Sequence, residues 1–404
     1  MKVDTMRRID RWAGIPLTVL FSIPFWIGRL FGRPKEPDCR RTLFIELSEM
    51  GSAILVDPAM RKLEREAEAE LYFVIFEDNA KSLALLNTIP PERIFTMRAD
   101  NLFNLAVDTL RFVSWCRKKR ITCVIDLELF SRFTALLTAM SLAGSRVGFH
   151  TVHDEGLYRG NIFNFPTRYN PHVHIATNFI ALVNTALGHH PQAYPIKAVP
   201  EEELQLAQAK LSETERDEVR EKIRTLYPDW QGERLVLFNV NASDLLPQRK
   251  WLPESFAESA QKLLGTFDDI LILMTGAPAE YEYVQDVTER VGRQRCVNSA
   301  GHFKFEELAP LYSISTLMLT NDSGPAHFAS VTPLKVFVIF GPETPALYGP
   351  LGNAESFYLG LPCSPCVSAA NHRKTTCIPR PCITGIGVGV VTGALTSYLV
   401  EKKE

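Results

Sequence analysis

Residues 317–352 read LMLTNDSGPAHFASVTPLKVFVIFGPETPALYGPLG, and this stretch decides the fold. An apolar run ends at Thr320, a polar turn follows, and a helical pattern begins at Pro325. A second apolar run then ends in the turn that starts at Gly341. Strands that alternate with helices are typical of a parallel, doubly wound sheet, in which the carboxyl ends of the strands carry the ligand site.

The same alternation extends over both halves of the chain. Apolar runs predict strands at 42–47, 71–76, 93–97, 121–127, 146–149, 235–240, 270–275, 295–297, 316–320 and 336–340. Helical patterns lie at 52–67, 101–119, 130–142, 254–264, 279–291, 305–313, 325–331 and 388–400. We therefore predict an α/β protein with two Rossmann-like, doubly wound domains that face a cleft. The predicted parts are an N-terminal hydrophobic segment (1–40), an N-terminal domain (41–199), a helical linker (200–232), a C-terminal domain (233–360), and a Cys-rich loop with a final helix (361–404).

Composition excludes several classes of protein. The chain has 404 residues, and 44 Lys and Arg against 46 Asp and Glu leave a net charge of −2. This balance argues against a protein that binds nucleic acid along its surface, and we expect no nucleic-acid partner. A hydrophobic fraction of 46% and a charged fraction of 22% are ordinary for a globular protein and exclude a disordered or polytopic membrane protein. Eight cysteines are too few for a disulfide scaffold of this length.

Residues 12–28, WAGIPLTVLFSIPFWIG, contain no charged side chain. Their 17 residues lie at the lower limit for a helix that spans a bilayer. Basic residues on both sides give the segment no direction, and no small-residue cleavage site of a secretory signal follows it. We expect an anchor that dips into the cytoplasmic face of the inner membrane, so that the protein is peripheral or monotopic. A single span and a helix packed on the protein's own body remain alternatives.

The turn after Thr320 has the chemistry of a phosphate site. Ser323 can cap the next helix, Gly324 permits close approach of a ligand to the backbone, and His327 can donate to a phosphate oxygen. The start of a helix adds unpaired N–H groups and a partial positive charge. We predict a diphosphate site here, with an ordinary capped helix as the alternative.

Two further strand ends carry polar side chains. One strand leads into a loop that contains Ser243 and then Arg249, a cation that suits a phosphate. The next strand ends in a turn at Gly276, followed by Glu280, whose carboxylate can accept hydrogen bonds from two ribose hydroxyls. A solvated basic loop and a charge that complements a helix dipole are the structural alternatives.

The order (Lys/Arg)-x-Trp, Gly-x-x-x-Glu, Asn-Asp-Ser-Gly-Pro-x-His and Phe-Gly-Pro-x-x-Pro resembles the family 9 glycosyltransferases, which include the ADP-heptose:lipopolysaccharide heptosyltransferases. The resemblance covers residues 41–385 and is strongest at 236–352. It implies the glycosyltransferase B fold and inverting, metal-independent transfer. It also implies that Arg249 takes the place of a Lys near the donor phosphates and Glu280 that of the ribose-binding acid. The residues that match the sugar- and diphosphate-binding segment are Asp322, Ser323, Gly324 and His327.

The N-terminal half departs from the family pattern Gly-Asp-x-x-x-x-x-Pro. Gly51 and Pro58 match, but Ser52 stands where the family has the Asp expected to be the catalytic base. A serine without a partner does not accept a proton at neutral pH. Glu49, in the same strand-to-helix loop, is the best-placed replacement. The alternatives are Asp126, Glu128 and Asp154, and loss of catalysis is a further one.

The segment 150–174 is long for a connection, which usually marks a functional loop. It holds four histidines without a recognised ligand spacing, together with Arg159 and Arg168. In the implied fold it faces the acceptor, so we expect the two arginines to bind an acidic or phosphorylated glycan.

Four cysteines lie close together near the C-terminus. Cys363 and Cys366 have the spacing of zinc ligands, and Cys377 and Cys382 follow them. A structural zinc or another thiolate-bound metal is one interpretation. Reduced or locally paired cysteines in a Pro-rich loop are the other.

These features lead to an enzyme hypothesis and a rival. The enzyme is a glycosyltransferase that moves a heptose or similar sugar from a nucleotide-diphosphate donor to a lipopolysaccharide-type or lipid-linked glycan, with no cofactor required for catalysis. The rival, motivated by Ser52, is a non-catalytic nucleotide-sugar-binding scaffold. A sugar-nucleotide epimerase, which can share this fold, is a third hypothesis.

Overall fold

The structure is a computed structural model that describes residues 3–30, 32, 36–129, 131–149, 158–189, 199–368, 371 and 373–402. The chain divides into two compact units, Met1–Ala207 and Gln208–Glu404. Each unit is built on one parallel sheet of six strands.

The sheet of the first unit has the order β3-β2-β1-β4-β5-β6. Its strands are β1 (Arg41–Ile45), β2 (Glu70–Phe76), β3 (Ile94–Met97), β4 (Cys123–Asp126), β5 (Ser145–Phe149) and β6 (Phe165–Thr167). The helices are α1 (Val3–Trp12), α2 (Gly14–Leu30), α3 (Met50–Leu55), α4 (Asp57–Ala67), α5 (Lys81–Ala84), α6 (Leu102–Lys119), α7 (Arg132–Met140) and α8 (Ile175–Ala186). Leu43, Phe44 and Ile45 are all fully buried, as expected for a central strand covered on both faces.

The sheet of the second unit repeats this order as β12-β11-β10-β7-β8-β9. Its strands are β7 (Arg234–Asn239), β8 (Ile270–Thr275), β9 (Cys296–Asn298), β10 (Leu317–Asn321), β11 (Lys335–Ile339) and β12 (Ala354–Phe357). The helices are α9 (Glu213–Leu226), α10 (Pro253–Thr266), α11 (Tyr281–Val291), α12 (Leu308–Ser313), α13 (Gly324–Ala329), α14 (Pro345–Tyr348), α15 (Pro381–Thr384) and α16 (Val388–Glu401).

The α/β class and the ten predicted strands are confirmed. The short edge strands β6 and β12 were not predicted. The single helix expected at 52–67 is instead two helices, α3 followed by α4. Pro58 has no backbone N–H to donate to the preceding turn, and it lies in the first turn of α4, which begins at Asp57. Within the predicted linker, the helical part is α9, which starts at a capping box of Ser212 and Glu215 and belongs to the second unit.

The N-terminal helices are docked on α7. The Asp10 carboxylate accepts hydrogen bonds from the backbone N–H groups of Arg132 (2.8 Å) and Phe133 (2.9 Å), the first residues of that helix. It also pairs with the Arg132 guanidinium at 3.1 Å. From α2, the Ser22 hydroxyl accepts from the Asn161 N–H at 2.7 Å. Polar side chains of α1 and α2 therefore hold these two helices on the body of the first unit.

The opposite face of α2 is apolar and exposed. Its exposed residues are Ile15, Leu17, Val19, Leu20, Ile23, Trp26, Ile27 and Leu30; we call them the apolar face. Trp12 at the end of α1 is 78% exposed. Across the part of the chain that the structure describes, no helix has the length and apolar character needed to cross a membrane.

Candidate functional site

Both sheets reverse their strand order at one place, between β1 and β4 in the first unit and between β7 and β10 in the second. In open α/β sheets, ligands bind outside the carboxyl ends of the strands at such a switch point. The loops that leave these four strands are therefore the candidate binding edges. We call them the acceptor edge in the first unit and the donor edge in the second.

Asn321, the last residue of β10, organises the donor edge. Its side-chain oxygen accepts from the Trp251 N–H at 2.8 Å, and its amide donates to the carbonyl of Val240 at 3.2 Å. Asn321 is fully buried, so its contacts fix the loop after β7 against the end of β10. The sequence analysis did not select this residue, although it opens the Asn-Asp-Ser-Gly motif.

Arg249 and Asp322 lie together at the donor switch point. The Arg249 guanidinium and the Asp322 carboxylate are 3.7 Å apart, with 17% and 6% of their side chains exposed. The Nε of Arg249 is buried and makes no hydrogen bond to any described residue. A partly buried guanidinium with unused donor capacity can bind a phosphate oxygen.

Glu280, after β8, is held in a fixed orientation. One carboxylate oxygen accepts from the Asn241 amide at 2.8 Å and the other from the Ala277 N–H at 2.7 Å. Gly276 leaves room for this arrangement, because a Cβ there would lie 3.1 Å from the carboxylate. Each oxygen retains a lone pair, as binding of two ribose hydroxyls requires.

The turn after β10 differs from the expectation in three respects. The Ser323 hydroxyl does not cap α13; it contacts the Thr320 hydroxyl and the Asn321 carbonyl. A Cβ on Gly324 would lie 2.9 Å from the Phe328 ring, so packing explains this glycine. With six residues, α13 is a short helix, and any diphosphate contact must come mainly from side chains. His327 lies on α13 and is 8% exposed, whereas Ser243 is exposed on the loop after β7.

The acceptor edge is acidic. Glu46 follows β1, Glu49 precedes α3, and Glu128 follows β4. Glu46 is 4% exposed, and burial raises the pKa of its carboxyl well above the usual range, with further increases from Glu128 and Glu49. The Glu128 carboxylate accepts from the Leu47 N–H at 3.3 Å and the Ser48 hydroxyl at 2.9 Å.

Ser52, at the position of the family's Asp, donates its hydroxyl to the Glu49 carboxylate at 3.2 Å. Glu49 therefore brings a carboxylate to within hydrogen-bonding distance of the place where the base was expected. The sequence predicted Glu49 as the replacement for the missing Asp but did not predict its contact with Ser52.

Asp126 and Arg159 form a buried ion pair, with 0% and 1% of their side chains exposed. Burial raises the pKa of Asp126 to about 6, against the opposing attraction of Arg159. The guanidinium also donates to Thr134 and to the backbone carbonyls of Ser131 and Glu128. The structure does not support the expected contact of Arg159 with an acceptor or a catalytic role for Asp126, because both side chains are buried and occupied by each other.

The expected acceptor region also includes Arg168, Asp154 and the histidines at 150 and 153. Arg168 follows β6 and is exposed, and its acceptor contact stays a prediction. Asp154, an alternative base, and the histidines at 150 and 153 lie outside the described residues.

The four C-terminal cysteines are free thiols. Burial raises the pKa of Cys382, and the thiols of Cys366, Cys377 and Cys363 contribute. Within the described ranges, no group of three or more His, Cys, Asp or Glu side chains is arranged to hold a metal ion. The described side chains thus do not form the zinc ligand set that the spacing allowed, and zinc here stays a prediction.

The Cys-rich segment nevertheless contacts the loops that follow β7 and β11. The Cys366 N–H donates to the Pro342 carbonyl at 3.0 Å, and the Arg373 Nε lies 3.2 Å from the buried Glu343 carboxylate. The Arg380 guanidinium donates to the carbonyl of Pro247 at 3.3 Å. Sequence reasoning missed the Glu343–Arg373 pair, because the two residues come from separate motifs with no shared spacing.

Comparison with known proteins agrees with this geometry. Residues 111–376 match the model of glycosyltransferase family 9 (heptosyltransferase), so the chain belongs to this family. Among relatives, lipooligosaccharide heptosyltransferase 2 of Campylobacter jejuni is 29% identical over 150 residues, 35% of this chain and 46% of that protein. The chain therefore spans less than half of the length of this relative.

Solved structures share the fold. Escherichia coli ADP-heptose lipopolysaccharide heptosyltransferase II has a TM-score of 0.70 and 18% identity, over 90% of this chain and 100% of that one. Escherichia coli heptosyltransferase WaaC with ADP has a TM-score of 0.57 and 18% identity, over 78% of this chain and 92% of that one. At this identity the likeness establishes the two-sheet α/β fold of the glycosyltransferase B type.

Proposed function

We propose that the protein transfers a heptose or similar sugar from a nucleotide-diphosphate donor to a lipopolysaccharide-type or lipid-linked glycan, with inversion and without a metal. The observation that carries this proposal is the pair of switch-point edges, one with Arg249 beside Asp322 and the other with the Glu49 carboxylate held by Ser52. A diphosphate leaving group needs cations, and an attacking hydroxyl needs a proton acceptor.

On the donor side, we assign the diphosphate to Arg249 and His327 and the ribose to Glu280. The partly buried Arg249 supports this assignment, since charge that develops on a leaving diphosphate is stabilised most where water is excluded. The fixed carboxylate of Glu280 supports the ribose contact. WaaC, which shares the fold, has been solved with ADP, so a nucleotide diphosphate is the donor class that we propose for this chain.

On the acceptor side, Glu49 accepts the proton of the attacking hydroxyl. The hydroxyl oxygen then bonds to the anomeric carbon as the bond from that carbon to the diphosphate oxygen breaks, and the nucleotide diphosphate leaves. Ser52 orients Glu49 by donating to its carboxylate. The residue that replaces the family's Asp thus acts through its neighbour.

The transfer reaction has two tests. A nucleotide-sugar screen by thermal shift should find a donor that stabilises the protein by about 2.7 kcal/mol at 100 times its dissociation constant. Glu49→Gln should then lower turnover by roughly 10²–10⁴-fold with little change in donor affinity. Glu92→Gln, at an exposed glutamate of the same unit, is the matched control. Donor binding without turnover on any membrane glycan would favour the scaffold hypothesis.

We further propose that the protein sits on the cytoplasmic face of the inner membrane through the apolar face of α2. Trp26 lies on this face and Trp12 ends α1, and the two are 58% and 78% exposed, which suits the headgroup region. Arg8 and Arg11 on α1 are exposed and can attract anionic lipid. A helix that is docked on one side and apolar on the other is typical of an in-plane anchor.

Sedimentation with vesicles that contain anionic phospholipid tests this location. Leu20→Asn combined with Trp26→Ala should abolish binding while the thermal unfolding stays close to that of the wild type. Val390→Asn, at a 68% exposed apolar residue of α16, is the matched control and should bind as the wild type does. Retention of both variants on vesicles would refute the assignment of the surface.

A further inference from the structure

A buried carboxyl lies at the centre of the acceptor edge. Glu46 directly follows the central strand β1, and its backbone N–H continues the ladder to the Val74 carbonyl at 3.3 Å. Its side chain is 4% exposed, and its Oε1 accepts no hydrogen bond from the described residues. An unsatisfied buried carboxyl oxygen is costly, so a specific role is expected of it.

Glu46 faces other acids rather than a cation. The charged groups around it are Glu128 after β4 and Glu49 at the start of α3. Arg159 is the nearby cation, but its guanidinium pairs with the Asp126 carboxylate. It contacts Glu128 through the backbone carbonyl and not through the carboxylate. Among the ion pairs of the described residues, none includes Glu46 or Glu128. Two adjacent carboxylates without a cation favour a state in which one of them keeps a proton.

Glu128 in turn holds the loop between β1 and α3. Its carboxylate accepts from the Leu47 N–H and the Ser48 hydroxyl, which lie directly between Glu46 and Glu49. The Asn79 amide secures the same loop by donating to the Leu47 carbonyl at 2.9 Å. The position of Glu49 therefore depends on where Glu128 sits.

We propose that Glu46 is a positioning residue that keeps a proton, donates it in a hydrogen bond to Glu128, and thereby holds the loop that presents Glu49. This proposal rests on the proposed transfer reaction, because Glu49 is its proton acceptor. Loss of the proton brings three negative charges together, which pushes Glu128 away from Ser48 and displaces the loop. The pKa of the buried Glu46 is raised by burial and by the neighbouring Glu128 and Glu49, which agrees with a carboxyl that holds its proton more tightly than an exposed one.

A measurement without substrate tests the proton itself. Since the folded-state pKa of Glu46 is raised above 4.5, its contribution to stability is complete below pH 4.5 and is lost as the pH rises through the folded-state pKa. As the pH rises from 4.5 to the folded-state pKa, the unfolding equilibrium constant of the wild type should therefore increase relative to that of Glu46→Gln. The increase should be up to tenfold for each pH unit in this range. Glu92→Gln should follow the wild type. The proposal would be overturned if the unfolding constants of the wild type and Glu46→Gln changed in parallel with pH and the two proteins showed the same infrared band of protonated carboxyls.

A second measurement tests the positioning role. The amide introduced by Glu46→Gln can donate to Glu128 as a protonated Glu46 does, so this variant should keep turnover at neutral pH and extend it to higher pH than the wild type. Glu46→Asp, which has a shorter side chain, should lower turnover at all pH values. If Glu46→Gln lowers turnover uniformly and leaves the alkaline limb in place, the residue is merely structural.

The two proposals fail in different ways. Absence of turnover by the wild type on every donor and acceptor would remove the transfer reaction, while the unfolding and infrared experiments would still report the proton on Glu46. If Glu46→Gln does not fold, Glu128→Gln provides a second test. Removal of that like charge should shift the titration of Glu46 to lower pH, and an unchanged titration would overturn the pairing.

Discussion

Replacing Asp10 with alanine tests whether the N-terminal helices are fixed to the first unit. Asp10 accepts hydrogen bonds from two N–H groups at the start of α7, and loss of such a cap costs about 1 kcal/mol. It also pairs with Arg132, whose side chain is 6% exposed and whose Nε makes no hydrogen bond to the described residues. Removing one partner of a buried ion pair costs about 3–5 kcal/mol. We use the lower limit of about 3 kcal/mol, because Asp10 is 19% exposed and the pair is only partly shielded from water. We therefore expect Asp10→Ala to weaken the docking by about 4 kcal/mol.

Hydrogen exchange measures this loss at the site. The amides of Arg132 and Phe133 should exchange up to about 10³-fold faster in Asp10→Ala, since each 1.4 kcal/mol is a factor of ten. Asp10→Asn keeps an acceptor oxygen but not the charge, and its effect should be intermediate. Arg8→Ala, at an exposed residue of the same helix, is the control and should change unfolding by less than about 0.5 kcal/mol. Unchanged exchange at both amides in Asp10→Ala would refute the reasoning, because α1 would then be held by other contacts.

Three further predictions concern the two edges and the cysteines. Asp322→Ala and His327→Ala should each lower transfer at least tenfold while thermal unfolding is retained, and wild-type turnover in both variants would remove the donor site from this turn. Arg159→Lys should destabilise the protein by about 3–5 kcal/mol in urea unfolding, because a lysine cannot reproduce the guanidinium contacts of a buried pair; a loss below about 1 kcal/mol would contradict the structural role. Metal analysis of protein purified without chelator tests the zinc prediction. One zinc per chain in the wild type, absent from the double variant Cys363→Ser with Cys366→Ser, would support the prediction. Wild-type protein without metal would exclude it.

The fold was predictable because strand periodicity and the turns after the strands agree along the whole chain. Ten strands were found from apolar runs alone, including β10, whose end begins the Asn-Asp-Ser-Gly motif. The edge strands β6 (FPT) and β12 (AESF) are short and contain no continuous apolar run, which is the signal that identified the other strands. These two strands form because they pair with β5 and β11, and such long-range pairing cannot be predicted from the local sequence.

The site was predictable only in part, because burial and partner choice depend on the assembled sheet. Glu49 was selected from its place in a loop, and its contact with Ser52 agrees with that choice. Arg159 also lies in an expected functional loop, but the fold buries it against Asp126, 33 residues away in sequence. Glu46 was not predicted as a site residue, since its surroundings include Glu128, which follows the neighbouring strand β4.

The docking contacts of the N-terminal helices also constrain the order of events during synthesis. Asp10 and its partner Arg132 are 122 residues apart in the chain. At roughly 5–20 residues per second, about 6–24 s pass between the synthesis of the two, and α2 spends this time without α7 to cover its inner face. The nascent helix is then apolar on both sides, and a bilayer is a surface that can shield both. Together with the proposed location on the membrane, the order of synthesis predicts that the ribosome–nascent chain complex reaches the membrane before the first unit folds, and that this unit then closes onto a helix already in contact with lipid.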